Sequence, residues 1–290
     1  MRLPGWIAFW AAILGLAWAG AEVRVAAASD LQYALGEMVR AFEAKNPGVK
    51  VVVVYGSSGR LYAQLTQGLE ADLFFSADGL YPRLLEARGL AEPGTRRAYA
   101  QGRVVLWLDR RLGLKPGLEA LKDPRITRLA IANPVHAPYG RAAITLLERY
   151  GLLRRRPDGP LGRSFPSLSW EEIPWERLTQ GVEAYWDTEP LRRGKPQFGF
   201  VYGENIAHAA QMALNATGAG LLALPLVLQG SLAEAGHHWL APPGSHLPLE
   251  QTYVILRGRA RPEVLAFQRW VESPEGRTLL RRYGFALPGE

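Results

Sequence analysis

Four short stretches carry the residues that could do chemistry: Ala28-Ser29-Asp30, Gly56-Ser57-Ser58-Gly59, Ala137-Pro138-Tyr139-Gly140 and Gly203-Glu204-Asn205-Ile206. Each stands where an apolar, strand-like run gives way to a helical pattern, so each offers the free N–H groups of a first helical turn. Such an end carries a partial positive charge of about half an electron and attracts anions. Ser29, Ser57 and Ser58 add hydroxyl donors. Together they could hold an oxyanion without any Lys or Arg. Taken singly, Ser29 and Ser58 read as helix caps. Two junctions in each half of the chain favour a shared anion site.

Other chemistries find less support. The five His residues, at 136, 208, 237, 238 and 246, fall at no metal-ligand spacing, and there is no Cys. Gly56 to Arg60 is not a G-x-S-x-G elbow, and no G-x-x-x-x-G-K-[ST] phosphate loop occurs. Asp30, Asp72, Asp78 and Glu204 stand near strand ends, where carboxylates commonly serve as caps. Two rivals stay open: a secreted hydrolase built on Ser58 with a distant His, and a ferric site drawing on Tyr33, Tyr55, Tyr139 and Tyr202. The expectation is a binding protein with no catalytic residue, no resident metal and no cofactor.

The elements that must position these residues follow from the hydrophobic pattern. Val23 to Ala28, Val49 to Tyr55 and Asp72 to Ser76 read as strands, separated by helices through Leu31, Leu35 and Phe42 and through Leu61, Leu65 and Leu69. Val104 to Leu108, Leu129 to Ala132, Phe198 to Tyr202 and Gly220 to Leu224 read as a second set. One more strand begins at Gln251, and Ser273 opens a terminal helix. This β-α alternation predicts mostly parallel sheets flanked by helices, with ligand beyond the carboxyl ends of the strands. The Pro-, Trp- and Arg-rich stretch from Arg154 to Asp187 fits no element clearly, and Arg154-Arg155-Arg156 reads as a solvated loop.

With 290 residues, 48% of them hydrophobic, the chain is long enough to form more than one core. Its formal charge of +7 suits an anionic partner. The arginines are scattered rather than gathered in a stripe with exposed aromatics, which argues against nucleic acid. At the N-terminus Arg2 precedes an apolar run from Trp6 to Trp18 that ends among small residues. It is too short for a membrane span and reads as a secretory signal over residues 1–21, cleaved near Ala19 or Ala21. A soluble, monomeric periplasmic protein is expected.

In the order and spacing of these motifs the chain resembles the periplasmic molybdate-binding proteins of ABC importers, which have the type II periplasmic-binding fold. The resemblance covers essentially the whole mature chain. It rests on Ala26 to Leu31, on Gly56 to Gly59 with Tyr62 to Leu65, on Ala71 to Asp78, and on Ile131 to Pro134 with Ala137 to Gly140. Gly203 to Ala207, Ser273 to Gly276 and Tyr283 to Phe285 complete it. The resemblance implies two lobes, one from residues 22–104 and 249–290 and the other from 105–248. It implies molybdate or tungstate between them, and delivery to a membrane permease. It makes Ser29 and Ser58 the hydroxyl donors of lobe one, Tyr139 and the Ile206 amide the donors of lobe two, and Ser57 and Tyr202 weaker candidates. The sequence departs from the family in two places. Leu224 stands where one branch carries a tyrosine hydroxyl, and Asp30 stands where another carries an amide. A carboxylate among donors would repel a dianion or favour a protonated ligand such as phosphate. Asp30 is therefore expected to turn its side chain away and give only its backbone N–H.

Overall fold

The computed structural model describes residues 20–195 and 197–290. Most of the stretch read as an export signal, residues 1–19, lies outside them. The strands are β1 (Ala21–Ala28), β2 (Val49–Gly56), β3 (Leu73–Ser76), β4 (Arg97–Gln101), β5 (Val104–Asp109), β6 (Arg128–Ala132), β7 (Arg154–Arg155), β8 (Trp186–Asp187), β9 (Gly199–Gly203), β10 (Ala219–Ala223), β11 (Gly236–Leu240) and β12 (Glu250–Ile255). They build two five-stranded sheets, in the orders β2-β1-β3-β12-β4 and β11-β5-β10-β6-β9, and a small β7-β8 ribbon. Each large sheet is the centre of one lobe, so the chain is a two-lobed α/β protein of the type II kind. Within that class the sheets are mixed: β12 runs antiparallel to both its neighbours, β3 and β4, in the first, and β5 to both its neighbours, β10 and β11, in the second.

The burial pattern explains the order. In β3 the adjacent Phe74 and Phe75 are both buried, but strand alternation sends them to opposite faces. Phe75 joins Phe42, Phe267 and Tyr253 under one helical layer, and Phe74 joins Leu61, Leu85 and Val254 under the other. Each such ring removed from water contributes about 1.5–3 kcal/mol. The second sheet is covered in the same way, and all six residues of β5 are buried. By contrast β2 lies at an edge and leaves Val52 and Val54 exposed.

The chain leaves the first sheet at Gln101 and enters the second at Val104, and returns between Leu240 and Glu250. The two passages touch, since the Gly102 amide donates to Leu249 O at 2.8 Å. After β12, the helices Pro262–Glu272 and Pro274–Arg282 pack on the first sheet, and Ala286 pairs back with Gln101.

The stretch from Arg154 to Asp187 is a cap on the second lobe. Trp186 is wholly buried among Phe165, Trp175 and Tyr185. Arg155 is the exception to the solvated-loop reading, because its side chain is 8% exposed and paired with Glu148 at 2.5 Å. A buried carboxylate partner makes the site tolerable for the guanidinium.

Candidate anion-binding site

The register of two parallel strand pairs brings the four junctions together. In the first sheet Ala28 at the end of β1 is level with Gly56 at the end of β2. In the second, Ala132 at the end of β6 is level with Gly203 at the end of β9. Each pair therefore delivers two chain exits side by side at the carboxyl edge of its sheet, and the two edges face one another. Between them lies a small cavity of about 10 Å³, lined by Ser29, Asp30, Ser57 and Ser58 from lobe one and by Pro138, Tyr139 and Ile206 from lobe two. That is roughly the room of one water, far below the ~300–1,000 Å³ of an organic-ligand pocket, so only a small ion could be enclosed between the lobes.

The lobes touch around this cavity. The Gly59 amide donates to His136 O at 2.9 Å. Ser29 Oγ donates to Asn205 Oδ1 at 3.1 Å and accepts from the Ala207 amide at 3.3 Å. Arg141 Nη2 meets Tyr81 Oη at 2.6 Å, and at the exposed rim Arg60 pairs with Glu204 at 2.9 Å. Gly59 is required by this approach: a Cβ there would stand 2.5 Å from Tyr81 Oη and 2.7 Å from His136 O.

Neither serine caps a helix. After β1 the chain makes a 3-10 turn at Ser29–Leu31, and the α-helix Gln32–Lys45 starts beyond it without a side-chain cap. Ser29 instead bridges the lobes. Ser58 is the first residue of the helix Ser58–Thr66, and its Oγ accepts from the Ala77 amide at 3.0 Å. That bond uses a lone pair and leaves the Ser58 proton available as a donor. Ser57 Oγ and Tyr139 Oη are buried and make no hydrogen bond among the described residues. The Asp30 side chain, expected to turn away from an anion, does not reach solvent. Its side chain is wholly buried, Oδ2 accepts from Gln251 Nε2 at 2.6 Å, and Oδ1 has no partner. Burial pushes this carboxyl up to about 6, against the opposing pull of Tyr139 and Gln251. Burial and the charge of Asp30 push the Tyr139 hydroxyl well above its usual range.

Four buried side-chain atoms lack a partner among the described residues, and three of them, in Asp30, Ser57 and Tyr139, belong to residues lining this one cavity. The fourth is His237 Nε2 on the edge strand β11. Buried polar groups are normally satisfied, so the clustering marks a place built for something polar. Among the described residues no Lys, Arg or His lines it. A larger groove nearby, between Trp170, Trp175, Arg83 and Arg141, contains acids as well as bases and has no such orphan atom.

Tyr202 is not in this cavity. Its hydroxyl accepts from the Val182 amide at 2.8 Å and donates to Glu183 at 3.1 Å, beside a separate pocket. Leu224 is a buried helix residue after β10, as its side chain requires. The four tyrosines weighed for iron do not meet, since Tyr33 lies on the surface of the first helix and Tyr55 on β2. Asp72 accepts from the Arg24 amide and from Arg261, and Asp78 from the Leu80 amide. Sequence reasoning missed Asn205 and Gln251. Asn205 was legible as a cap, and it does accept from the His208 amide at 2.9 Å. Nothing local marks Gln251, which reaches Asp30 only through the pairing of β12 with β3.

Known proteins point the same way. The molybdate-binding protein ModA of Azotobacter vinelandii is 28% identical over 287 residues, covering 97% of this chain and 96% of that one. The ModA of Rhodobacter capsulatus is 28% identical over 285 residues, covering 95% and 93%. The solved periplasmic molybdate-binding protein of Azotobacter vinelandii superposes with a TM-score of 0.68 over 92% of this chain and 99% of that one. The family model of the bacterial extracellular solute-binding proteins matches residues 23–286, and the chain belongs to that family.

Proposed function

We propose that this protein captures molybdate outside the cytoplasm and hands it to the permease of an ABC importer. The observation that carries the reading is the cavity itself: buried hydroxyls without partners, at helix starts from both lobes, with no cation among the lining residues. The names of the full-length relatives supply the particular anion. In this reading Ser58, Ser57 and Tyr139 donate hydroxyl hydrogens, Ile206 donates its amide, and Ser29 ties the lobes together over the ion. Tungstate has the same charge and shape and is a second cargo. Molybdate over sulfate is a matter of cavity size.

The protein acts as a monomer with lobes near 22–104 plus 249–290 and 105–248. Export precedes this function, and cleavage after Ala19 is favoured because Ala21 already pairs with Val49 in the sheet. It is a carrier and not an enzyme, and the partner of Ser58 Oγ is an amide rather than a base. A thermal-shift panel of molybdate, tungstate, sulfate, phosphate and ferric ion tests the assignment. A ligand at about 100 times its Kd adds about 2.7 kcal/mol of stability. Molybdate and tungstate should raise Tm by several degrees at micromolar concentration. A shift with ferric ion alone, or with none of the five, would refute the reading.

A further inference from the structure

The three orphan atoms of the cavity are not alike. Ser57 Oγ and Tyr139 Oη each have a hydrogen to give, whereas Asp30 Oδ1 has one only when the carboxyl is protonated. The carboxyl is also held in place. Gln251 Nε2 grips Oδ2 at 2.6 Å, and the side-chain Oε1 of Gln251 accepts from Tyr99 Oη at 3.4 Å, so turning Asp30 would break a buried chain. An ionised Asp30 beside a dianion would place three negative charges in one water-poor chamber with no cationic lining residue. Both partners would be pure acceptors. One proton between them replaces that repulsion with an O–H···O bond.

We propose that the cavity takes up its tetrahedral dianion together with one proton from solvent, held on Asp30 Oδ1 and donated to an oxygen of the anion. This rests on the oxyanion reading above and adds its regulation by pH. The balance is simple: ionised carboxylate, one proton and a fully deprotonated dianion give a neutral carboxyl hydrogen-bonded to that dianion.

The groups around Asp30 single it out. Tyr99 on β4 and Tyr139 at the start of the lobe-two helix are both pushed well above their usual range by burial, and stay neutral. Gln251 on β12 and the serines at the start of the Ser58 helix do not titrate in water's range. Beyond them are His136, held down by burial, exposed His208, and the rim pair of Arg60 and Glu204. With its carboxyl pushed up to about 6, Asp30 is ionised in neutral solution and must gain the proton on binding.

Molybdate titrations at micromolar concentration between pH 7 and 9 test this in the purified protein. Kd should weaken about tenfold per pH unit, or about a hundredfold over the range. Calorimetry at pH 8 in two buffers of different ionisation enthalpy should count close to one proton taken up per anion. Asp30→Asn should flatten the profile to within about threefold, bind more tightly than the parent at pH 8, and take up no proton. His136→Gln and His208→Gln should keep the slope. If the parent binds molybdate with a flat profile and no proton uptake, the proposal is wrong and the oxyanion reading survives. A slope that persists in Asp30→Asn and vanishes in a histidine variant also overturns it. If the parent binds no oxyanion at any pH, both fall. Should Asp30→Asn not fold, the parent's proton count still decides.

Discussion

Asp30 is wholly buried, and desolvation pushes its carboxyl up to about 6 despite the nearby Tyr139 hydroxyl, the hydrogen bond from Gln251 and the amides of its own turn, all of which favour the charged form. In the unfolded chain the same group titrates near 4. The folded state thus holds this proton more tightly, so the stability it contributes is complete below about pH 4 and is lost as pH rises through about 6. At neutral pH the charged form costs about 3 kcal/mol. Asp30→Asn keeps the shape and an acceptor for Gln251, and should raise unfolding stability at pH 7.5 by about 1–3 kcal/mol. Urea unfolding at pH 7.5 and pH 4 checks it, because the gain should shrink toward zero at the lower pH. An equal gain at both would assign the effect to packing instead of charge.

At the scale of elements, the site depends on how the starts of four helical segments are delivered. The level ends of β1 and β2, and of β6 and β9, put two exits at each sheet edge. Gly59, in the first turn of the Ser58 helix, then lets that helix close on the opposite lobe, its amide donating to His136 O at 2.9 Å. Gly59→Ala would put a methyl 2.7 Å from the backbone His136 O across the cleft, and 2.5 Å from Tyr81 Oη, the end of a side chain in its own lobe. Within the lobe the Tyr81 side chain can shift aside, and Ala favours helix over Gly by up to about 1 kcal/mol, so the cost falls on closure against the fixed His136 backbone. Calorimetric titration should therefore show anion affinity reduced tenfold or more, while thermal unfolding without anion moves by less than about 1 kcal/mol. A parallel collapse of both quantities would mean that Gly59 serves the lobe and not its closure.

For the whole molecule, the contacts that cross the cleft are of two grades. Arg60 and Glu204 pair at 2.9 Å with side chains 49% and 61% exposed, and such pairs contribute about 0–1 kcal/mol. Arg141 is buried, donates to Tyr81 Oη, to Pro134 O and to Val135 O, and has Asp78 Oδ2 at 4.0 Å. Tyr81→Phe removes its hydrogen-bonding link to the Tyr81 hydroxyl in a buried setting, worth about 1–3 kcal/mol. Arg60→Ala should change anion affinity less than about fivefold, and Tyr81→Phe should weaken it about tenfold or more. Small-angle scattering should show the Tyr81→Phe protein more open than the parent. If the exposed pair proves the more costly to break, closure is governed at the rim.

The sequence by itself determined the strands β1, β2, β3, β5, β6, β9 and β10 to within a residue or two, and the four junctions after them. Runs of apolar residues and helix-start chemistry are local, so they are legible without partners. The edge strands β4 and β11 were not: Arg97–Gln101 is half polar, and Gly236–Leu240 carries two histidines and little burial. Only the tertiary structure decided which donors are free. Ser29 is engaged by Asn205 and Ala207, residues more than 170 positions away, and Tyr202 by Val182 and Glu183. Ser57 and Tyr139 are left without partners, and Asp30 is sealed in by Gln251 from the far end of the chain. A hydroxyl's chemistry depends on what already occupies its lone pairs and its hydrogen, and that is settled by segments that meet only when the sheets assemble.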